Sequence, residues 1–297
     1  MYVPTTKPFT STLLAQTIDT LVKYFSCINF SVIGKSRMGQ PIYALTIGHG
    51  KKAVSINAAH HANEWITAVI AMRFLEACAD SKNIKWMDDT TLHIIPMVNP
   101  DGVDLLTGVF DKSSTTYKNA LAMSENEPFP DGWKANIAGV DLNSNYPAGW
   151  EQAKLHKFER GYTKPGPRDY VGAFPLSEPE TAAMAAYTLA NDFAHTISLH
   201  TQGEVIYWQY QDYNPPGAKE LAHRLSAASG YALEDVPDTS SHAGYRDWFI
   251  QAFNRPGMTI ECGLGENPLP ISDFEGIFKK VAPLLWEAVL FAKNDFV

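Results

Sequence analysis

The sequence predicts an α/β sandwich built on a largely parallel or mixed sheet. Three observations carry this. Short β-rich runs alternate along the chain with segments whose apolar residues recur at helical spacing. The 297 residues are 45% hydrophobic and 19% charged, which is enough for a substantial core and too little charge for disorder. No internal repeat, low-complexity tract or linker divides the chain, so residues 1–297 are expected to form a single domain.

Each element has a local reason. "LLAQTIDTLVKYF" (Leu13–Phe25) has a helical apolar stripe. "PIYALTIG" (Pro41–Gly48) and "AVSINAA" (Ala53–Ala59) are strand-like, and "EWITAVIAMRFLEACAD" (Glu64–Asp80) returns to helical spacing. "TTLHIIPMVNP" is a strand running into an Asn-Pro-Asp-Gly turn at Asn99–Gly102. The Pro- and Gly-rich region from Thr107 to Pro175 is expected to be loop-rich. Ser177, followed three residues later by Glu180, predicts a capping box at the start of a helix over Ser177–Asp192. "HTISLH", "EVIYWQY" and "GMTIECG" are strands, while Leu221–Ser229 and Ile277–Lys293 are helical. Alternation of this kind gives a layered α/β fold, in which ligands gather at the carboxyl ends of the strands.

Composition removes several classes of function. The net charge is -8, and no dense Lys/Arg run supports nucleic-acid or anionic-membrane binding. The longest apolar stretches, Trp65–Leu75 and Val281–Ala292, are interrupted by polar residues and too short to span a bilayer. "MYVPTTKPFTSTLL" lacks a basic region followed by an apolar block, so no secretory signal is read there. Cys27, Cys78 and Cys262 are odd in number and have no CxxC spacing, which points to a reducing, cytoplasmic compartment.

The chemistry concentrates in "SINAAHHANEW". His61 and Glu64 follow the strand Ala53–Ala59 and sit at its carboxyl end. A His-x-x-Glu pair on a tight strand-to-helix turn can direct imidazole nitrogen and carboxylate oxygen at one ion. His200 ends "HTISLH" at another strand exit. Two His and one Glu form a set suited to catalytic Zn²⁺, with the fourth position left open. Most isolated His-x-x-Glu pairs are surface polar residues, so the pair alone decides little. His60 is a rival to His61 but faces the other way on the strand exit, and His195 begins its strand where His200 ends it.

The motifs "HHANEW", "NPDG", "GVDLNSNYPAGW", "SLHTQG", "GYRDWF" and "TIECGLGENPLP" occur together and in order. In this the chain resembles the zinc carboxypeptidases over Asn57 to about Pro270. "HTQGEVIYW", "RDYVGAFPLSEPE" and "GENPLP" bring it nearest to the bacterial γ-D-glutamyl-L-diamino acid endopeptidases. The resemblance implies a mixed eight-stranded sheet covered by helices on both faces. It also implies one zinc ion per chain, held by His61, Glu64 and His200, with Glu261 as general base. Zinc lowers the pKa of water, and a carboxylate can take that proton and pass it to the leaving amine. A partly buried ion-pair partner is the competing reading of Glu261, and Glu266 is a rival base.

The departures from the family pattern bear on substrate. Ser144, in Asp141-Leu142-Asn143-Ser144-Asn145, stands where the family has the arginine that grips a terminal carboxylate. Serine offers one hydrogen bond and no charge. That favours a cut inside a peptide, with Asn143 contacting backbone. Lys134 stands in the place of the arginine that polarises the scissile carbonyl, and can act as a point charge; a solvated loop lysine is its bland alternative. Asn63 replaces a further family arginine. Arg246, at the position that sets side-chain specificity, would favour a carboxylate such as the distal one of meso-diaminopimelate, with pairing to an acidic neighbour as its bland alternative. Glu204 or Asp212 could meet the distal amine. The family's mobile tyrosine falls near Thr239, where none exists; His242 or Tyr245 could replace it, on a loop freed by Gly244. The implied substrates are peptidoglycan stem peptides or muropeptides. A carboxypeptidase acting on ordinary peptides and an inactive wall-peptide-binding relative are the alternatives.

Overall fold

In chain order the strands are β1 (Ile28–Lys35), β2 (Pro41–Ile47), β3 (Lys52–Ala58), β4 (Thr90–Ile95), β5 (Phe193–His200), β6 (Val205–Tyr207), β7 (Ala232–Glu234) and β8 (Gly257–Glu261). The computed structural model, which describes residues 1–125, 127–237 and 241–292, arranges them as one sheet ordered β1-β2-β4-β3-β5-β8-β6-β7. The central run β4-β3-β5-β8 is parallel; β2 and β6 flank it antiparallel, β1 pairs antiparallel with β2, and β7 pairs parallel with β6. This is the mixed eight-stranded sheet the resemblance implies. The helices are α1 (Ser11–Tyr24), α2 (Ile66–Ala79), α3 (Pro100–Leu106), α4 (Thr115–Ser124), α5 (Trp150–Glu159), α6 (Pro179–Ala190), α7 (Ala218–Ser229), α8 (Tyr245–Phe253) and α9 (Phe274–Phe291).

The alternation of side chains on each strand builds two cores. Val54, Ile56, Leu92, Ile94, Ile197, Leu199, Met258 and Ile260 pack one face of the sheet against α1, α2, α7 and α9. Ile42, Ala44 and Ile95 on the other face meet Met184 of α6 and Tyr245 and Trp248 of α8. Helix α2 is buried almost all round, as expected of a helix without a polar face. Every residue of β5 is buried, which matches a central parallel strand.

Several expectations are corrected. The segment Thr107–Pro175 is loop-rich as expected, but it also carries α4, a 3-10 turn at Leu142–Ser144, and α5, which were not expected. The turn at Asn99–Gly102 opens α3, because Asn99 Oδ1 accepts from the Gly102 N–H at 3.0 Å and Pro100 occupies the first helical position. The capping box at Ser177 does not form. Pro179 fixes the start of α6 with Glu178 as N-cap, and the Ser177 hydroxyl donates to Glu178 Oε1 instead. Helix α2 begins at Ile66 because Glu64 belongs to a preceding 3-10 turn. Of the last predicted helix, Lys293 lies outside the described residues, as does Thr239, the position matched to the mobile tyrosine.

Candidate metal centre and active site

Strand β3 ends at Ala58, and Ala59 turns the chain with φ +48°. The turn is latched by Thr67, whose hydroxyl accepts from the Ala59 N–H at 2.9 Å and donates to the Glu64 carbonyl at 2.7 Å. His61 then caps the 3-10 turn Ala62–Glu64, so His61 and Glu64 leave the strand end together. His200 is the last residue of β5, and its register partner on β8 is Glu261. Parallel strands with aligned ends thus deliver four side chains to one edge of the sheet.

One ligand atom from each of His61, Glu64 and His200 lies within 4.8 Å of the others, and all three residues are buried. His61 Nδ1 is 2.9 Å from Glu64 Oε1, His200 Nδ1 is 2.9 Å from Glu64 Oε2, and the two Nδ1 atoms are 3.3 Å apart. Two imidazole nitrogens and a carboxylate that converge away from water form the donor set a catalytic zinc requires. Among the described residues no other group of three His, Cys, Asp or Glu converges in this way. His60 turns away, its Nε2 3.0 Å from the Tyr146 hydroxyl, and His195 bonds the Ala288 carbonyl at 2.9 Å.

Asp141 supports the set, a role the sequence analysis did not assign. Its Oδ1 lies 3.2 Å from His61 Nε2 and accepts the Asn143 N–H, while Oδ2 accepts the Asp169 N–H. A carboxylate on the far nitrogen of a ligating imidazole fixes its tautomer and ring orientation. Burial pushes the Asp141 carboxyl up, but His61, Lys157 and Lys134 outweigh it and hold it well below the usual carboxylate range. Burial likewise opposes charge on His61. Glu64 and Asp141 prevail against Lys134 and push His61 up to about 9, so protons and a metal ion compete for this nitrogen.

A cavity of about 310 Å³ opens beside these residues. Glu261 lines it; burial and the Glu64 charge push its carboxyl up, against His200, Lys134 and His61. Lys134 lines it with Nζ 3.4 Å from Glu64 Oε1. Burial disfavours its charge, but Glu64, Asp141 and Glu261 keep the ammonium protonated. Asn143, Ser144, Arg246 and His242 also line the cavity. Asn143 Oδ1 accepts from the Tyr245 N–H at 3.1 Å. Arg246 presents a partly engaged fork: Nε donates to Asp247 Oδ1 at 3.0 Å and Nη2 reaches the same oxygen. His242 Nδ1 is 3.2 Å from the Tyr210 hydroxyl.

Tyr245 is placed differently from the expectation. It is the first residue of α8, its ring is fully buried against His60, Tyr146 and Trp248, and its hydroxyl meets Thr188 at 2.9 Å. It packs beneath the site and does not cover it. Gly244 caps that helix closely rather than loosening a loop, since a Cβ there would lie 2.9 Å from Asp247 Oδ2. Glu204 is held by Lys280 at 2.6 Å, and neither it nor Asp212 lines the cavity. Asn63 donates to the Asp131 carbonyl. Asp141 carried a legible signal, an Asp opening a short turn, whereas Lys157 and Asp169, also on the cavity wall, carried none.

The chain belongs to the zinc carboxypeptidase family, which residues 14–275 match. It is 43% identical over 258 residues to gamma-D-glutamyl-L-diamino acid endopeptidase 1 of Lysinibacillus sphaericus, covering 84% of this chain and 64% of that protein. It is 36% identical over 297 residues to the uncharacterized protein YqgT of Bacillus subtilis, covering 96% of this chain and 78% of the relative. The chain thus spans just under two thirds of the length of the first of these. In fold it is similar to the crystal structure of thrombin activatable fibrinolysis inhibitor, with a TM-score of 0.73, 17% identity, and coverage of 96% of this chain and 74% of the other. No helix among the described residues is long and apolar enough to cross a membrane.

Proposed function

We propose that the protein is a zinc peptidase that hydrolyses the amide between the γ-carboxyl of D-glutamate and a diamino acid, meso-diaminopimelate or lysine, in peptidoglycan stem peptides or muropeptides. The observation that carries the reading is the convergence of His61, Glu64 and His200, with His61 lining the same cavity as Glu261 and Lys134. The name of the Lysinibacillus relative supports the choice of bond. The three free cysteines support action on wall fragments in a reducing compartment.

His61, Glu64 and His200 would hold the ion, with Asp141 fixing His61. Bound there, Zn²⁺ supplies Lewis-acid chemistry: it polarises the scissile carbonyl and acidifies water. Glu261 takes the proton of the attacking water on its carboxylate and delivers it to the departing amine. A carboxyl raised by burial is suited to both halves of that transfer. Lys134 places a protonated ammonium where the carbonyl oxygen gains negative charge. Arg246 faces the diamino acid side chain and Asn143 its backbone; His242 lines the same cavity.

The test is mass spectrometry of the products from defined muropeptides, with and without a chelator. Chelator-sensitive release of the diamino acid portion from γ-D-glutamate is the expected result. Cleavage of hippuryl-type dipeptides with no action on the γ-linked bond would replace the reading with ordinary carboxypeptidase activity. Wall-peptide binding without cleavage, in protein lacking stoichiometric zinc, would replace it with an inactive binding relative.

A further inference from the structure

The cavity that Ser144 lines is also lined by a cation from an element the sequence did not announce. Lys157 lies in the last turn of α5 and lines the cavity together with Asn143, Ser144 and His242. The adjacent His156 stacks on His242 with ring centroids 6.1 Å apart, which seats the end of α5 against that wall. The Lys157 ammonium donates to Asp169 Oδ1, and its side chain is 13% exposed. An ammonium has three protons, so a single bond to Asp169 leaves donors for a ligand.

Asp169 has a second cationic partner besides Lys157. Arg168 Nε donates to the other carboxylate oxygen at 2.8 Å. Two cations therefore share the Asp169 carboxylate, and Lys157 is the one that faces the cavity; Arg168 lines a separate pocket. Asp169 is itself fixed. It holds a left-handed backbone, φ +64°, and its N–H donates to Asp141 Oδ2 at 3.2 Å. Asp141 in turn meets His61. A continuous path of contacts, Lys157 to Asp169 to Asp141 to His61, sets the reach between this cation and the metal ligands.

The other cations of the cavity carry other roles in the proposed reaction. Lys134 stands over Glu64, and Arg246 approaches from α8 with its fork on Asp247. Ser144, which lines the same cavity, offers a hydroxyl without charge. A diamino acid released from γ-D-glutamate carries a carboxylate on its α-carbon, and diaminopimelate carries a second one at the far end. We propose that Lys157 binds the α-carboxylate of the diamino acid, so that the protein prefers stem peptides that end at this residue over those that continue beyond it. The inference deepens the proposed function and rests on it, naming which stem peptide the same site takes.

The experiment compares kcat/KM for L-Ala-γ-D-Glu-meso-diaminopimelate with its α-carboxyl free and with that carboxyl amidated. The wild-type protein should prefer the free acid by about ten- to a hundredfold, the effect of one charge-assisted hydrogen bond. Lys157→Met should bring the ratio close to one, and Lys157→Arg should keep most of it. An undiminished ratio in Lys157→Met overturns the proposal, and so does a wild-type protein that cleaves both forms equally, a result that needs no variant to fold. Thermal melting and zinc content show whether Lys157→Met is intact. Failure of the underlying reaction reading looks different: neither γ-linked peptide is cut. The same pair of carboxyl forms on an α-linked peptide then decides the role of Lys157.

Discussion

Asp141→Asn tests the support of the metal site without touching a ligand. Asp141 Oδ1 meets His61 Nε2 and the Asn143 N–H, and Oδ2 accepts the Asp169 N–H. All three partners are donors when the His61 Nδ1 lone pair is free for a metal. An asparagine has one acceptor oxygen and one donor NH₂. With its oxygen toward His61, the NH₂ opposes the Asp169 N–H; flipped, it opposes the His61 N–H. Either orientation loses a bond and removes the negative charge beside the imidazole. Loss of such a carboxylate partner weakens metal binding by about 10- to 100-fold, or about 1.4 to 2.7 kcal/mol. Competition with a chromophoric chelator reads the zinc Kd directly, and circular dichroism shows whether the fold is retained. A Kd within twofold of the wild-type value in folded protein would refute the assignment of Asp141 as the residue that orients His61.

Glu261→Gln should keep stoichiometric zinc and lose turnover by about two to four orders of magnitude, since the proton carrier is gone while the ligands remain; steady-state rates beside metal analysis decide this, and a near-normal rate removes Glu261 from the mechanism. Arg246→Leu should weaken diaminopimelate substrates more than lysine ones, measured as the ratio of kcat/KM, and equal losses would show that Arg246 does not read the distal carboxylate. His195 is buried and its pKa lies at about 4, lowered by desolvation against its bond to the Ala288 carbonyl. A depressed folded-state pKa means that the unfolded chain binds the proton first, so the stability is complete above about pH 6.5 and is lost as pH falls toward 4. Between pH 7 and 5 this one group should cost about 2 kcal/mol. Urea denaturation of wild-type and His195→Gln protein across that range should show a shallower decline in the variant, and parallel curves would contradict it.

What the sequence disclosed follows from which residues announce themselves locally. His61, Glu64, His200 and Glu261 stand at strand exits, and a parallel sheet brings strand exits together, so the chemistry was legible before the fold. Helix α5 was not, because "WEQAKLHKFE" buries only Trp150 and Ala153 and therefore has no apolar stripe. Strand β1 was missed because it is an edge strand that leaves Phe30 and Val32 exposed, and β7 is three residues long. Tyr245 was read as a loop residue over the cleft; only the start of α8 at that position turns its ring inward. The pairing of Lys157 with Asp169 crosses a loop between two segments without regular period, and nothing in the order of residues predicts which lysine meets which aspartate.

The central claim is that three side chains distant in the chain hold one zinc ion. Metal analysis of wild-type and His200→Ala protein after dialysis against a weak chelator tests it most directly. About one zinc per chain in the wild type, and loss of that zinc in folded His200→Ala protein, is the predicted result. Wild-type protein that binds no zinc, or a variant that retains it in full, would contradict the account.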